Sequence, residues 1–227
     1  MIILTAGHTG AGTGAQCATT QFDEGAETIW LRNRVAEILT NKYGLVVLMD
    51  DDRASLKLLT KALTEDILHT ELTECTEFDF SLCSKSLINL SSAGVATASS
   101  VLSVSSVREK ESSVRSDDFV IDLHFNAHTN PQARGAEAVV SDDATTLELR
   151  FASRLAHATA DALEIPLRGI KSESETPHRR LAMLHLTPQS IILEVCFCTS
   201  PEDVEAYRNN REKLAAELAL AIAELIE

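Results

Sequence analysis

The chain has 227 residues, 34 acidic against 20 basic side chains, and a formal net charge of −14 at pH 7. That length holds one domain with a full core. The acidic balance, with no cluster of Lys and Arg, excludes a nucleic-acid surface, and no stretch approaches the roughly 20 apolar residues of a membrane span.

The opening MIILTAGH has no basic lead, and its apolar run stops after a few residues. It reads as a buried first strand, Ile2–Thr5, and not as a signal peptide, so we expect a product made soluble in the cytoplasm. A glycine-rich loop follows. A helix then runs from about Glu24 to Lys42, with Leu31, Val35 and Ile38 at helical spacing and Gly44 as its C-cap. Leu45–Asp50 has the continuously apolar pattern of a parallel strand buried on both faces, and a second helix begins near Ala54. From about 70 to 117, short apolar runs mix with serine clusters such as SSAGVATASSVLSVSSVREKESS, an atypical insertion or lid with no element assigned.

The pattern resumes with strand Phe119–Phe125, strand Ala136–Val140 after Gly135, helix Thr145–Leu163 and strand Ser190–Cys196. A closing helix starts at Pro201, with Ser200 as its cap. Strands alternating with helices predict an α/β three-layer sandwich: a largely parallel central sheet of about six strands with helices on both faces, in one domain over 1–227. Cys17, Cys75, Cys83, Cys196 and Cys198 are an odd set without CxxC pairs, so we expect mostly free thiols.

Four residues at element ends stand out: His8 in LTAGHTG, Glu24 in FDEGAE, His124 in VIDLHFNAH and Glu194 in SIILEVCF. Two imidazoles and a carboxylate suit a catalytic zinc that keeps an open position, and a further carboxylate can move protons beside it. In open α/β sheets, functional groups collect beyond the carboxyl ends of strands, which is where these residues fall. Singly, a histidine after a strand is more often structural than a ligand, and Glu24 also suits the first turn of a helix, where the macrodipole favours an acid. Glu194 is different, because it interrupts an apolar run, and a carboxylate in a core strand is costly unless paired, protonated or functional. Glu27 lies one turn after Glu24 on the same helix face and competes with it. His128 follows His124 by four, a spacing without meaning in a strand, and reads as a loop residue near the cleft. His178, with Arg179 and Arg180, lies in a polar loop, while His69, His157 and His185 have no supporting neighbours.

These motifs resemble the zinc-dependent N-acetylmuramoyl-L-alanine amidases, the amidase type 3 family of bacterial cell-wall hydrolases and phage endolysins. AGHTGAGTGA is similar to the family's Gly-His and glycine-rich loop. Glu24 matches its glutamate at a helix head, Asp122-Leu-His-Phe-Asn-Ala its Ser-x-His-x-Asn strand end, and Glu194-Val-Cys-Phe its Glu-x-Gly-Phe element. Gly135-Ala-Glu and Arg168-Gly-Ile-Lys resemble later segments. The resemblance implies that His8, Glu24 and His124 hold one Zn2+ ion, with Glu24 preferred to Glu27 because the family's ligand begins the helix, and that Glu194 is the general acid/base.

The implied reaction splits the amide between N-acetylmuramic acid and the L-alanine of the stem peptide, with peptidoglycan or its muropeptide fragments as partner. Arg168 and Lys171 would hold stem carboxylates. The implied enzyme is a monomer acting on the cell wall or in the periplasm after release. A zinc carboxypeptidase or other amide hydrolase shares such a metal site but liberates a different group, and a non-catalytic binding domain would lack an active Glu194. The chain departs from the family at Cys196, which replaces a glycine, in the serine-rich segment, and at Lys85–Asn89, a degenerate counterpart of the family's Arg and Ala-Asn helix.

Overall fold

The computed structural model describes residues 1–8, 12–50, 117–130, 132–177 and 179–226. The helix expected from Ala54, almost all of the serine-rich segment, Lys85–Asn89, His69, His178, Cys75 and Cys83 lie outside the described residues. Strand β1 (Ile2–Ala6) is followed by a short antiparallel hairpin, β2 (Gln16–Cys17) and β3 (Phe22–Asp23), which leads into α1 (Glu24–Tyr43). Then come β4 (Val47–Met49), β5 (Phe119–Asn126), β6 (Ala136–Val140), α2 (Thr146–Leu163), β7 (Leu167–Ser172), β8 (Ser190–Phe197) and α3 (Pro201–Ile226), with single 3-10 turns at Glu173–Glu175 and Ala182–His185 before β8.

The helices begin and end where the sequence supplies caps. Asp23 accepts a hydrogen bond from the Ala26 N–H at the head of α1, and Gly44, at φ 68°, closes it in the left-handed region that favours glycine. Thr145 and Glu148 form a capping box at α2. The Ser200 hydroxyl accepts from the Asp203 N–H, and Pro201 takes the first helical position of α3.

Six strands form one sheet in the order β4-β1-β5-β8-β6-β7. β4, β1, β5 and β8 run parallel, whereas β6 pairs antiparallel with β8 and carries β7 parallel to itself. The α/β sheet is therefore mixed and mostly parallel. The run Leu45–Asp50, expected to be buried on both faces, instead gives a three-residue strand at the sheet edge among the described residues, and Val47–Met49 are only half-buried. β7 has no counterpart in the sequence reading, because LRGIKS carries two cations and no apolar alternation.

Alternation sorts the side chains onto two faces. One face presents Ile2, Leu4, Ile121, Leu123, Ala138, Ile191 and Leu193 to the main core, which α1, α2 and α3 complete. The other presents Ile3, Val120, Val139 and Ile192 to Met183 and Leu184 of the second 3-10 turn. Toward the carboxyl edge of the parallel strands, that second face turns polar. Two residues on from Ile3, Val120 and Ile192 come Thr5, Asp122 with His124 beyond it, and Glu194, while Glu137 stands two residues before Val139. Register sets Thr5 beside Asp122, His124 beside Glu194, and Glu194 beside Glu137. Four strands thus share one polar stripe, and charges taken out of water there need partners, since each costs several kcal/mol of the order of burial in a protein interior.

Candidate metal centre

His8 lies just past β1, Glu24 is the first residue of α1, and His124 sits near the end of β5 beside an irregularity in the β5–β8 register. Nε2 of His8 is 3.2 Å from Oε1 of Glu24, and Nδ1 of His124 is 3.3 Å from the same oxygen. The two imidazoles meet edge to face, with ring centroids 5.1 Å apart. One ligand atom from each of the three residues lies within 4.8 Å of the others, the one such grouping among the described residues. Ligands about 2.0–2.1 Å from a tetrahedral zinc stand roughly 3.3 Å apart, so the donor set and its spacing fit that ion.

Glu24 is fixed from behind. The Ala15 N–H donates to Oε2 at 2.7 Å and the Phe125 N–H to Oε1 at 3.0 Å. Burial works to raise its pKa, but the His124 and His8 bonds and these two N–H groups outweigh it and hold the carboxyl far below its usual range. Burial likewise opposes charge on His124, and the Asp122 and Glu24 carboxylates overcome it, lifting that pKa well above normal. Surroundings that favour an imidazolium also favour a metal cation. Two glycines make the room: a Cβ on Gly7 would stand 2.1 Å from His124 Nε2, and one on Gly14 would stand 2.4 Å from His8 Cδ2 and 2.7 Å from Glu24 Oε2.

Glu194 adjoins this group as the cross-strand partner of His124, and its Oε2 is buried without a hydrogen-bond partner. Burial pushes its pKa up; His124 opposes the rise, Glu24, Glu137 and Asp122 add to it, and the result is about 7. Its other neighbour, Glu137, shows the opposite behaviour. Burial works to raise it, but Lys171 and Arg168 outweigh that and hold it low, with Asn126 Nδ2 donating at 2.7 Å and Lys171 Nζ 2.8 Å away. Adjacent carboxyls whose environments push their pKa values apart are the pattern of a proton-transfer site.

Arg168 and Lys171, which the sequence reading assigned to substrate carboxylates, both bind Glu137. Glu27 turns away from Glu24 to Tyr207 and Arg211. His128 is exposed in a loop and accepts from the Asn130 N–H at 2.9 Å. His185 pairs with Glu173 at 2.9 Å, and His157 lies 2.8 Å from the Ser153 carbonyl on an exposed face of α2. Cys17, Cys196 and Cys198 are free thiols. Sequence reasoning missed Asp122 and Glu137. The signal for both was an acid breaking an apolar strand, as at Glu194.

A histidine–glutamate–histidine group at the carboxyl edge of an α/β sheet, with a near-neutral carboxyl beside it, offers what a hydrolase needs. The chain belongs to the N-acetylmuramoyl-L-alanine amidase family, whose profile matches residues 2–226, and it is a peptidoglycan amidase. Its fold is similar to that of AmiC2, an N-acetylmuramoyl-L-alanine amidase of Nostoc punctiforme (TM-score 0.62, 14% identity, covering 100% of this chain and 97% of that one). It is also similar to a Neisseria meningitidis protein assigned as an N-acetylmuramoyl-L-alanine amidase (TM-score 0.61, 24% identity, 99% and 94%). A third likeness is to Ami1 of Mycobacterium smegmatis (TM-score 0.54, 16% identity, 100% and 96%). At these identities the likeness speaks to the fold. No curated protein matches the chain. Among the described residues, no helix is long and apolar enough to cross a membrane.

Proposed function

We propose that His8, Glu24 and His124 hold one zinc ion and that Glu194 is the general acid/base for cleaving the amide between N-acetylmuramic acid and the L-alanine of the stem peptide. The observation that carries this reading is the convergence of the three donor atoms within 4.8 Å, next to a carboxyl whose buried oxygen has no other partner. Zinc, when bound, supplies Lewis acidity at the scissile carbonyl and makes water acidic near neutral pH. Glu194 accepts the proton that water loses on attack and delivers it to the departing alanine nitrogen, leaving a lactyl carboxylate and a free α-amine. Without metal, burial pushes this carboxyl up to about 7, and a cation beside it favours the ionised form that accepts the proton. The Glu137–Arg168–Lys171 cluster places two cations against one carboxylate a strand away from Glu194.

The catalytic domain spans 1–227 in this reading, in keeping with the family match over 2–226, and acts at the cell wall as a monomer. Purified peptidoglycan incubated with zinc-loaded protein should yield intact stem peptides with a new alanine amine, and a chelator should stop the release. Glu194→Gln should lower turnover by about 10²–10⁴-fold while zinc stays bound. Full activity in that variant, or release of a free terminal amino acid in place of an alanine amine, would sink the assignment.

A further inference from the structure

We propose that Asp122 is a positioning residue for the metal centre, fixing the tautomer and ring angle of His124 through a chain that begins at Thr5. This rests on the reading of His124 as a zinc ligand. Thr5 and Asp122 are register partners on β1 and β5, and Asp122 and His124, two residues apart on one strand, share a face. The Thr5 hydroxyl donates to Asp122 Oδ1 at 2.7 Å, and His124 Nε2 lies 3.1 Å from Asp122 Oδ2. Both carboxylate oxygens are therefore committed, in a residue only 1% exposed. An anionic carboxylate only accepts, so the proton of neutral His124 stands on Nε2 and the lone pair on Nδ1. Nδ1 is the atom that faces Glu24. The tautomer that the Asp122 bond selects is the one the metal centre needs, and metal-binding histidines gain basicity and a fixed orientation from such carboxylates.

Two further observations support the assignment. Gly7, whose N–H donates to Leu123 O, leaves the gap that lets the His124 ring lie over the end of β1, and any Cβ there would strike the nitrogen that Asp122 holds. Asp122 also brings a carboxylate, which a neutral residue at this position would not, directly behind the ring of the proposed ligand. Zinc should consequently be held more tightly here than orientation alone would secure.

The test is zinc affinity, measured by chelator competition on the full chain. Asp122→Ala should weaken zinc binding by about 10–100-fold. Asp122→Asn keeps an acceptor oxygen but no charge, and should fall between that variant and the parent. Thr5→Val should weaken binding by about three- to tenfold through the freed carboxylate. Circular dichroism of the metal-free variants shows whether each is folded, and Asp122→Asn and Thr5→Val serve if the alanine variant is not. In the zinc-loaded parent, 15N NMR should find the His124 proton on Nε2. His124→Ala separates the two ideas: parent-like zinc affinity in that variant defeats the metal reading itself. Loss of zinc in His124→Ala combined with affinity within about twofold of the parent in folded Asp122 variants overturns the positioning role alone, as does a proton on Nδ1.

Discussion

Gly7 and Gly14 sit where any larger side chain would run into the His8–Glu24–His124 group, for different reasons. At Gly7 the obstacle is contact, a Cβ 2.1 Å from His124 Nε2, and the ring must leave its Asp122 partner to make room. At Gly14 it is contact and backbone together, since φ is 73° and the added carbon would meet both His8 and Glu24. We expect Gly14→Ala to cost about 1–2 kcal/mol for the left-handed backbone alone and to lower zinc affinity more than tenfold. Gly7→Ala should lower affinity with a smaller loss of stability; parent-like zinc titrations in either would contradict the close packing. The thiols give a second prediction at this scale. Cys196 and Cys198 are fully buried, and burial raises the pKa of each, so neither presents a thiolate to an alkylating reagent. Cys17 is partly exposed. Peptide mapping after brief iodoacetamide treatment of native protein should find Cys17 modified well ahead of Cys196 and Cys198, and rapid labelling of the latter pair would mean that the β8 end opens.

Helix α3 does more than fill the core. Asp203, in its first turn, accepts from Gly135 N at 2.7 Å, Phe197 N at 3.2 Å and Arg134 Nε at 2.9 Å, and is fully buried. It thereby joins the start of β6 to the end of β8, the pair whose antiparallel register sets Glu137 opposite Glu194. Asp203→Ala leaves two buried N–H groups without an acceptor and should cost about 2–4 kcal/mol, with Asp203→Asn milder because one oxygen remains. Urea unfolding checks this, and a loss under 1 kcal/mol for the alanine variant would refute it. The same elements mark what was legible in the sequence. β1, β5, β8 and the three helices carry clear apolar periods and caps, and their bounds shift by only a residue or two. The reversal of β6 was hidden, because AEAVV looks like any buried strand and its direction is decided by its neighbour across the sheet. β7 was hidden because an edge strand with Arg168 and Lys171 needs no apolar pattern. Glu194 stood out by breaking an apolar run, whereas His8, Glu24 and His124 stood out by their places near element ends and by the motifs around them. Asp122 shows along the chain only as an acid two residues before His124 in an apolar strand, whereas Glu137 meets Glu194 through cross-strand register and Arg168 and Lys171 from the next strand, relations that chain order hides.

Across the whole molecule, carboxyl groups pushed in opposite directions, together with the lifted His124 imidazole whose stabilisation is lost as pH rises, set how metal-free stability depends on pH. Glu24 and Glu137 are held below the ordinary value, by histidines and by Lys171 and Arg168 acting against burial. Below the ordinary carboxyl range the unfolded chain binds protons that these groups refuse, so the stability they provide is present above about pH 4.5 and lost as the pH falls. Asp50 and Glu194 behave in the reverse sense. Burial outweighs the Arg32 ion pair at Asp50 and pushes it to about 6, and Glu194 stands at about 7. The folded state keeps these protons longer, so stability declines as pH rises from the ordinary carboxyl range through those values, by up to about 3 kcal/mol for Glu194. The two trends place the maximum for chelator-treated protein near pH 5, with Tm falling toward pH 8. The net charge of −14 adds self-repulsion in the same direction. Zinc should reverse the upper limb: its ligands bind better when deprotonated, a cation beside Glu194 favours the ionised form, and a ligand that binds only the folded state stabilises it. Thermal melts between pH 4 and 8, with chelator and with excess zinc, test this directly. We expect the gap between the two curves to widen with pH and Glu194→Gln to flatten the chelated one; a metal-free Tm that climbs from pH 5 to 8 would show that the buried carboxyls do not govern stability.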